Sequence, residues 1–234
     1  LSPSKPPQAK IELEIQYPSG KLARETRLLK VRDNLYQTSN EMEQYKGFWR
    51  GEGLLTDTDG ITHITENGIV YEVDYIGGQK TGFFLDQKYN RAAIRRIAEG
   101  RQVLDCFTHT GSFGLNAAAG GAAHVTSVDI SADAISMARQ NAVRNGLDGR
   151  MDFVCTDVFD LLTDMANNGK CDYDFIILDP PAFAKHHKVL GNALQGYKKI
   201  NARAMEKIRP GGILFTFSCS QAVSRDLFRT TIFT

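Results

Sequence analysis

The sequence lacks several features that would mark particular classes of protein. Its four cysteines, at positions 106, 155, 171 and 219, include no pair with the two-residue spacing of a zinc knuckle or a dithiol redox motif. No apolar run approaches the ~18–20 residues that a transmembrane helix needs. The formal net charge is only +1, so the chain has no global field that would attract a nucleic acid or a membrane. We therefore expect a cytoplasmic protein that uses neither a membrane nor a metal ion.

The 234-residue chain changes character near residue 86. Before that point, Ile11, Leu13 and Ile15 alternate with polar residues, as in a half-buried strand. Asn67-Gly68 separates two apolar runs, which is the pattern of a tight β-hairpin. Residues 1–85 are therefore predicted to form a small, mainly antiparallel β subdomain.

From Asp86 onward, predicted helices and strands alternate. A helix capped by Asp86 and ending near Ala98 precedes five short apolar segments, at residues 102–107, 125–130, 153–156, 175–178 and 213–217. Ser131 is placed to cap the helix after the second segment. Five strands alternating with helices predict an α/β domain over residues 86–234, with a parallel, doubly wound, Rossmann-like sheet.

Acidic residues follow or end four of these strands: Asp105, Asp129, Asp157 and Asp179. Each of them alone is equally typical of a solvated strand end or a helix cap. At a purely structural rim, however, four neighbouring carboxylates would repel one another, and a shared polar ligand explains them better. Residues 105–114 form a glycine-bearing turn into a helix, which lets the backbone approach such a ligand. The spacing is not the G-x-G-x-x-G of dinucleotide enzymes, which disfavours a nicotinamide oxidoreductase.

These motifs resemble those of class I S-adenosylmethionine-dependent methyltransferases. Residues 105–114 look like the glycine-loop motif, Asp129 like the ribose-binding acid, Asp157 like the adenine-edge residue, and residues 179–183 (Asp-Pro-Pro-Ala-Phe) like the substrate-side motif. Residues 80–87 and 217–220 (Phe-Ser-Cys-Ser) resemble, more narrowly, the bacterial 23S rRNA large-subunit cytosine-C5 methyltransferases. The resemblance covers roughly residues 65–230.

The resemblance implies S-adenosylmethionine as the cofactor and S-adenosylhomocysteine as its product. The cofactor-binding residues that it implies lie at the strand ends and just before the sheet: Lys80, Phe84, Asp105, Phe107, Thr110, Gly111, Asp129, Ile130, Asp157, Val158 and Asp179. The ring of Phe83 or Phe84 could face the sulfonium cation, an interaction of ~0.5–2 kcal/mol, whereas the alternative for both is hairpin core.

Carbon 5 of cytosine is a poor nucleophile and needs a thiolate added to carbon 6 before it can accept a methyl group. The resemblance implies this role for Cys219, and for Asp179 a hydrogen bond to ring nitrogen 3. The alternative for Cys219 is an inert core cysteine. The two prolines of the Asp-Pro-Pro segment stiffen the loop, so that its carbonyls can hold the edge of a planar base.

A local basic patch that could bind RNA follows this loop. Residues 185–209 contain seven basic residues and one acidic residue. Tyr197 lies within the run and could stack on a base, and Arg91, Arg95 and Arg96 extend it. The alternative is a solvated helix face. The predicted RNA contacts are Pro180, Pro181, Phe183, Lys185, Lys188, Tyr197, Lys198, Lys199 and Arg203, with residues 1–85 offering a further surface. The target cytosine is expected to be flipped or single-stranded.

The chain departs from the resembled family at both ends. An N-terminal RNA-binding module is not recognisable, and we expect the C-terminal strands of the fold to be missing from a fragment. Two functional alternatives stay open: an rRNA guanine or adenine amino-group methyltransferase, which needs no cysteine, and an RNA-binding module on a degenerate methyltransferase fold. The sequence leaves the oligomeric state open, a homodimer included.

Overall fold

The structure is a computed structural model. It describes strands at residues 8–16, 22–32 and 35–38, together with residues 61–74, 82–167, 172–183, 190–220 and 222–233. The chain divides into two compact units, Leu1–Ile61 with Tyr75–Gly77 and Thr62–Asp74 with Gly78–Thr234. Within the described residues, no helix is long and apolar enough to cross a membrane.

The first unit contains a three-stranded antiparallel sheet. Its strands are β1 (Gln8–Gln16), β2 (Leu22–Arg32) and β3 (Leu35–Thr38), in the order β1-β2-β3. Gln16 of β1 lies opposite Leu22 of β2. The antiparallel pairing agrees with the alternating pattern of the N-terminal sequence.

The described residues of the second unit form a β-hairpin, a five-stranded sheet and six α-helices. Its strands are β4 (Ile61–Glu66), β5 (Ile69–Asp74), β6 (Gln102–Cys106), β7 (His124–Asp129), β8 (Met151–Cys155), β9 (Tyr173–Leu178) and β10 (Ile208–Thr216). Its helices are α1 (Lys88–Ile97), α2 (Ser112–Ala119), α3 (Ala132–Arg144), α4 (Val158–Asn167), α5 (Leu190–Lys207) and α6 (Arg225–Phe233). Short 3₁₀ turns at Leu85–Gln87 and Asp148–Arg150 precede α1 and β8.

The five-stranded sheet is parallel, with the order β10-β9-β6-β7-β8. The chain runs outward from β6 through β7 to β8, and then returns to the other side of β6 for β9 and β10. The strand order therefore reverses between β6 and β9, and in open α/β sheets ligands bind at such a switch point, outside the carboxyl ends of the strands. The predicted doubly wound, Rossmann-like fold is present.

Alternate residues of the central strands pack on opposite faces of this sheet. Val103 and Phe175 belong to one core cluster, while their neighbours Leu104 and Ile176 belong to the other. All four side chains are fully buried. Helices cover both faces of a parallel sheet, which is why its strands are short continuous apolar runs in the sequence.

The β4–β5 hairpin belongs to the second unit from Thr62 onward, whereas the sequence predicts it within the subdomain of residues 1–85. Asn67 and Gly68 both have positive φ angles, of 53° and 76°, as the predicted Asn-Gly turn requires. One face of β5 (Ile69, Tyr71 and Val73) is buried in the core cluster that also contains residues of the parallel sheet. Burial of these three side chains fixes the hairpin to the core of the second unit.

Asparagine side chains hold the hairpin edge against the helices. Asn145 accepts a hydrogen bond from the Val70 amide at 2.9 Å and donates one to the Val70 carbonyl at 2.7 Å. Asn141 accepts from the Glu72 amide at 2.8 Å. The helix after β7 thus satisfies the backbone of β5 through side-chain amides.

A buried ion pair connects the hairpin to α1. The guanidinium of Arg91 donates to both carboxylate oxygens of Glu66, at 2.5 and 2.9 Å, and to the Phe84 carbonyl at 2.8 Å. It also lies 4.6 Å from the centre of the Phe83 ring. Arg91 is only 1% exposed, so the predicted contribution of Arg91 to a basic RNA-binding surface is wrong.

The helix start predicted at Asp86 also differs from the structure. Residues Leu85–Gln87 form a 3₁₀ turn, and α1 begins at Lys88 without a side-chain cap. By contrast, the Ser131 cap is confirmed, because its hydroxyl accepts from the Ala134 amide at 3.2 Å.

We expect Arg91→Met to reduce the free energy of unfolding by about 3 kcal/mol, because it leaves the Glu66 carboxylate buried without its partner. Removing both charges, with Arg91→Met and Glu66→Leu together, should recover a large part of the loss. Urea unfolding measures the effect, and Arg96→Met, on the exposed face of α1, serves as control with a change within about 0.5 kcal/mol. Equal midpoints for Arg91→Met and Arg96→Met would contradict a stabilising role for the pair.

Candidate active site

Acidic side chains from successive strands meet at one edge of the parallel sheet. Asp105 precedes the last residue of β6, Asp129 ends β7, and Asp157 and Asp179 follow β8 and β9. Asp105 is close enough to Asp179 and Asp129 for both carboxylates to raise its pKa. The predicted convergence of carboxylates is therefore present for Asp105, Asp129 and Asp179.

The loop after β6 has an uncommon backbone conformation. Phe107, His109 and Gly111 have positive φ angles of 63°, 50° and 81°. This region costs about 1–3 kcal/mol for a non-glycine residue, so neighbouring contacts must hold it. The His109 amide donates to Asp129 Oδ2 at 3.0 Å, and the Thr108 amide donates to the Val128 carbonyl at 2.9 Å. The end of β7 thus fixes the loop after β6.

Asp105 is completely buried. Its Oδ2 accepts hydrogen bonds from the Thr108 hydroxyl and, at 2.9 Å, from the Gly114 amide. Its Oδ1 has no hydrogen-bond partner among the described residues. Burial raises the pKa of Asp105 from 3.8 to about 7, and the two hydrogen bonds oppose this shift. A buried oxygen without a donor is unfavourable, so the site favours a protonated carboxyl or a ligand that donates to Oδ1.

Gly114 allows α2 to approach the sheet at this point. A Cβ atom at Gly114 would lie 2.6 Å from Ser127 Oγ and 2.8 Å from Asp105 Oδ2. No side chain fits there, and the close approach brings the Gly114 amide within hydrogen-bond distance of Asp105. This glycine of the sequence motif is therefore required by packing against the sheet.

The end of β7 combines a carboxylate with an exposed apolar side chain. Asp129 accepts from the amides of His109 and Ser131, both at 3.0 Å. Ile130 next to it is 69% exposed. This arrangement suits the ribose hydroxyls and the flat base of an adenosyl group, with the isoleucine supplying the apolar contact.

Asp157, between the end of β8 and the start of α4, has a structural role as a helix cap. Asp157 Oδ1 accepts from the amides of Phe159 and Asp160, at 2.7 and 3.2 Å, and so caps α4. The role of Asp157 at the adenine edge stays a prediction. Val158 is 2% exposed in the core, because it faces the sheet from the first turn of α4. Its side chain therefore does not line the predicted cofactor site, and only its backbone is left for such a contact.

The two phenylalanines before α1 have different environments. Phe83 is buried, with its ring 4.8 Å from that of Tyr71 and under the Arg91 guanidinium. The Phe84 ring lies 5.6 Å from the His109 ring in the loop after β6. Phe83 is therefore hairpin core, and Phe84 is the one that reaches the site. Lys80, Lys185 and Lys188 lie outside the described residues.

The loop after β6 also contains His109, for which the sequence predicts no role. Its amide donates to Asp129 and its ring contacts Phe84. Burial lowers the pKa of His109, while the Asp129 carboxylate opposes that shift. The Thr110 side chain is buried, and the Thr110 carbonyl accepts from Asn141 at 3.2 Å. Positive φ angles at non-glycine residues leave no signal in a sequence, which is why His109 was missed.

Cys219 follows β10, three residues after Thr216, and lies next to the Asp-Pro-Pro loop. Its thiol is exposed and donates to the Pro180 carbonyl, with the sulfur 3.5 Å from the oxygen. The Asp179 amide lies 3.5 Å from the Cys106 carbonyl, which ties the loop to the end of β6. Pro180 is buried and Pro181 exposed. The structure thus places the cysteine and the Asp-Pro-Pro loop side by side, whereas Cys106 is buried and its pKa is raised by burial.

The structure does not support base stacking by Tyr197. Its side chain is fully buried, and its hydroxyl shares a hydrogen bond of 2.8 Å with Ser220. Phe183 packs on the Tyr197 ring, with 4.7 Å between ring centres. These two rings therefore belong to the packing between α5 and the Asp-Pro-Pro loop.

Only part of the predicted basic surface remains available. Arg203 donates to the Phe159 carbonyl and to the Thr163 hydroxyl, which holds it against α4. Arg95 donates to the Asn67 carbonyl. Lys198 and Lys199 are exposed on α5. In the described residues, no group of three His, Cys, Asp or Glu side chains is arranged to hold a metal ion.

A family model of S-adenosylmethionine-dependent methyltransferases matches residues 41–232, which include the whole parallel sheet and its strand-end site. The chain therefore belongs to the S-adenosylmethionine-dependent methyltransferases. This confirms the predicted enzyme class and cofactor.

More particular similarities follow within that class. Ribosomal RNA large subunit methyltransferase I of Shewanella denitrificans is 49% identical over 170 residues, which are 72% of this chain and 43% of that protein. The enzyme of the same name from Aeromonas salmonicida is 43% identical over 192 residues, 82% of this chain and 47% of that protein. The chain spans about half the length of the curated relatives that it matches.

Solved structures agree with the fold. SMU.776, a methyltransferase complexed with S-adenosylhomocysteine, has a TM-score of 0.67 and 30% identity, covering 75% of this chain and 46% of that one. A methyltransferase from Agrobacterium tumefaciens has a TM-score of 0.61 at 24% identity, covering 75% and 59%. The first of these agrees with the cofactor of the family, and the second supports the fold alone.

The raised pKa of Asp105 predicts a pH dependence of stability without cofactor. Between pH 3.8 and about 7 the folded chain keeps a proton that the unfolded chain releases. The free energy of unfolding should therefore fall as pH rises through this window, by at most about 1.4 kcal/mol per pH unit. Urea unfolding at several pH values measures this slope. Asp105→Asn should flatten it in that window, whereas Asp164→Asn, on an exposed part of α4, should leave it unchanged. An unaltered slope in Asp105→Asn would assign the dependence to other groups.

Proposed function

We propose that this chain carries the active site of an enzyme that methylates carbon 5 of a cytosine in RNA, with 23S rRNA as the substrate. The observation that carries this proposal is the exposed Cys219 thiol, 3.5 Å from the Pro180 carbonyl at the end of the neighbouring strand. Amino-group methylation needs no thiol at this position. A cysteine that opens into the Asp-Pro-Pro loop is therefore best explained by covalent activation of a pyrimidine.

The chain's own residues suit an adenosyl ligand. Asp129 offers a carboxylate to ribose hydroxyls, Ile130 an exposed apolar side chain to the base, and Asp105 a buried oxygen without a donor. Phe84 offers an aromatic ring to a sulfonium cation. When bound, S-adenosylmethionine supplies an electrophilic methyl group to this edge of the sheet.

In the proposed mechanism, Cys219 acts as a thiolate nucleophile. Its sulfur forms a bond to carbon 6 of the cytosine, and the electron pair of the carbon 5–carbon 6 double bond moves so that carbon 5 becomes nucleophilic. Asp179, directly after β9, donates a hydrogen bond from a protonated carboxyl to ring nitrogen 3 and so favours this addition. After carbon 5 has gained the methyl group, a base removes its proton. The pair of electrons left by that proton restores the double bond and expels the Cys219 thiolate.

The proposed RNA partner rests on similarity and on surface chemistry. The curated relatives are named as ribosomal RNA large subunit methyltransferases. Next to the site, Pro181 is exposed and Lys198 and Lys199 present two exposed cations on α5. A base within a duplex cannot reach Cys219, so the substrate cytosine must be flipped out or single-stranded. We propose a cytoplasmic site of action, which matches an rRNA substrate.

We expect Cys219→Ala to lower methyl transfer by about three orders of magnitude, since it removes the group that activates the base. The measurement uses full-length protein, rRNA and labelled S-adenosylmethionine, followed by digestion to nucleosides. Cofactor affinity, measured by calorimetry, should stay within about twofold, because Cys219 adds to the base rather than to the cofactor.

Cys155→Ala is the matched control, because Cys155 is the other exposed cysteine at a strand end in the described residues. It should retain activity. RNA carrying 5-fluorocytosine should trap a covalent adduct with the wild type and with Cys155→Ala, and none with Cys219→Ala. A methylated guanosine or adenosine, formed equally by Cys219→Ala, would instead establish an amino-group methyltransferase. Absence of S-adenosylmethionine binding would favour a degenerate, RNA-binding fold.

A further inference from the structure

We propose that Tyr197 is a positioning residue that sets the place of the Cys219 thiol against the Asp-Pro-Pro loop. This inference rests on the proposed function, since it concerns the residue named there as nucleophile. Tyr197 lies on α5, away from the sheet edge in sequence, and its side chain is completely buried. From there it contacts both segments that form the surroundings of the thiol.

The hydroxyl of Tyr197 reaches the segment that carries the cysteine. Its oxygen lies 2.8 Å from Ser220 Oγ, in a hydrogen bond that either hydroxyl can donate. Ser220 is itself 4% exposed, and its carbonyl accepts from the Val223 amide at 3.0 Å. Since Ser220 follows Cys219 directly, the bond restrains the backbone on which the thiol is mounted.

The ring of Tyr197 supports the other segment. Phe183, the last residue of the Asp-Pro-Pro-Ala-Phe loop, packs on it at 4.7 Å with an angle of 50° between the rings. Phe183 also lies against Gly196, where a Cβ atom would come within 3.2 Å of the Phe183 ring. On α6, Phe228 meets the Tyr197 ring edge-on at 5.2 Å. The ring is thus held between the loop and the last helix.

These contacts give the tyrosine hydroxyl a purpose beyond packing. A phenylalanine would fill the same space, and a buried hydroxyl is unfavourable unless it is bonded. Here the hydroxyl bonds to Ser220, the residue that follows Cys219. The ring of the same tyrosine packs against Phe183, which belongs to the loop that contains Pro180. The segment that carries Cys219 and the loop that contains Pro180 therefore both contact the Tyr197 side chain. The 3.5 Å distance between the Cys219 sulfur and the Pro180 carbonyl depends on these two contacts.

Tyr197→Phe tests this inference, because it removes the hydroxyl and keeps the ring. We expect the single-turnover rate of methyl transfer to fall about tenfold, since a shift of the nucleophile well below 1 Å already slows reaction. The dissociation constant of S-adenosylmethionine should stay within about twofold, because no cofactor contact is lost. The rate at which iodoacetamide alkylates Cys219, followed by peptide mass spectrometry in a Cys155→Ala background, should change as well.

Ser220→Ala provides an independent version of the same test. It should reproduce the effect of Tyr197→Phe, and the double variant should be no slower than either single variant, because all three lose one hydrogen bond. Tyr173→Phe is the matched control: it loses a hydroxyl bond to Thr126, 3.1 Å long, at the start of β9 and thus at the opposite edge of the sheet. It should leave both rates unchanged.

Two results would overturn the inference. In the first, Tyr197→Phe and Ser220→Ala have the same methyl-transfer and alkylation rates as Tyr173→Phe. The Tyr197–Ser220 hydrogen bond would then be purely structural. The other is additivity of the two substitutions. If Cys219→Ala keeps full methylation, the proposed function fails. The alkylation rates of Tyr197→Phe and Ser220→Ala still decide whether Tyr197 positions the thiol.

Discussion

The pairing of β6 between β7 and β9 is the constraint on which the site depends. All three strands are parallel, so the residues at their carboxyl ends meet at one edge. Cys106 pairs with Val128 on one side and with Leu178 on the other, and this register puts Asp105, Asp129 and Asp179 near one another. The same edge receives Cys219 through β10, the next strand outward. Both faces of the sheet are buried, which resists a change of register.

Polar groups within the protein then hold the loop after β6 and the first turn of α2. Asp129 fixes the loop after β6 through the His109 amide, and Asp105 draws the first turn of α2 towards the sheet through the Gly114 amide. Each carboxylate keeps further capacity to accept hydrogen bonds. The protein thus uses the same side chains to shape the loop and to offer acceptors to a ligand, and part of the cost of the strained backbone is offset by these bonds.

The sequence predicted the order and approximate position of the sheet strands because each strand contains a few apolar residues between turn or helix signals. The start of β10 was missed: it begins at Ile208, five residues before the predicted segment, and its pairing with β9 shifts register between Ile208 and Ile213. The five predicted segments correspond to β6–β10, and the Asn-Gly hairpin and the Ser131 cap also agree with the structure. The strand-end carboxylates could be recognised because a parallel sheet brings its carboxyl ends together without any further information about side-chain packing.

The basic surface was predicted poorly because charge was considered without helical periodicity. On α5, the residues Ala193, Tyr197, Ile200 and Ala204 are buried at spacings of three and four, which is the pattern of a core-facing stripe. Tyr197 belongs to this stripe and not to the exposed face that carries Lys198 and Lys199. On α1, Arg91 lies three residues before the buried Ile94 and is buried on the same face. Its ion pair with Glu66 spans 25 positions of sequence, so no local pattern predicts it.

The asparagines on and after α3 have a consequence for association. An outer strand of a sheet exposes backbone donors and acceptors that can recruit strands from other molecules. The side-chain amide of Asn145 accepts from the Val70 amide and donates to the Val70 carbonyl. It thus makes the two hydrogen bonds that a neighbouring strand would make. Asn141 accepts from the Glu72 amide on the same edge of β5, so these backbone groups are already bonded. Two side chains thereby occupy backbone groups of β5 that would otherwise be open to pairing with another strand.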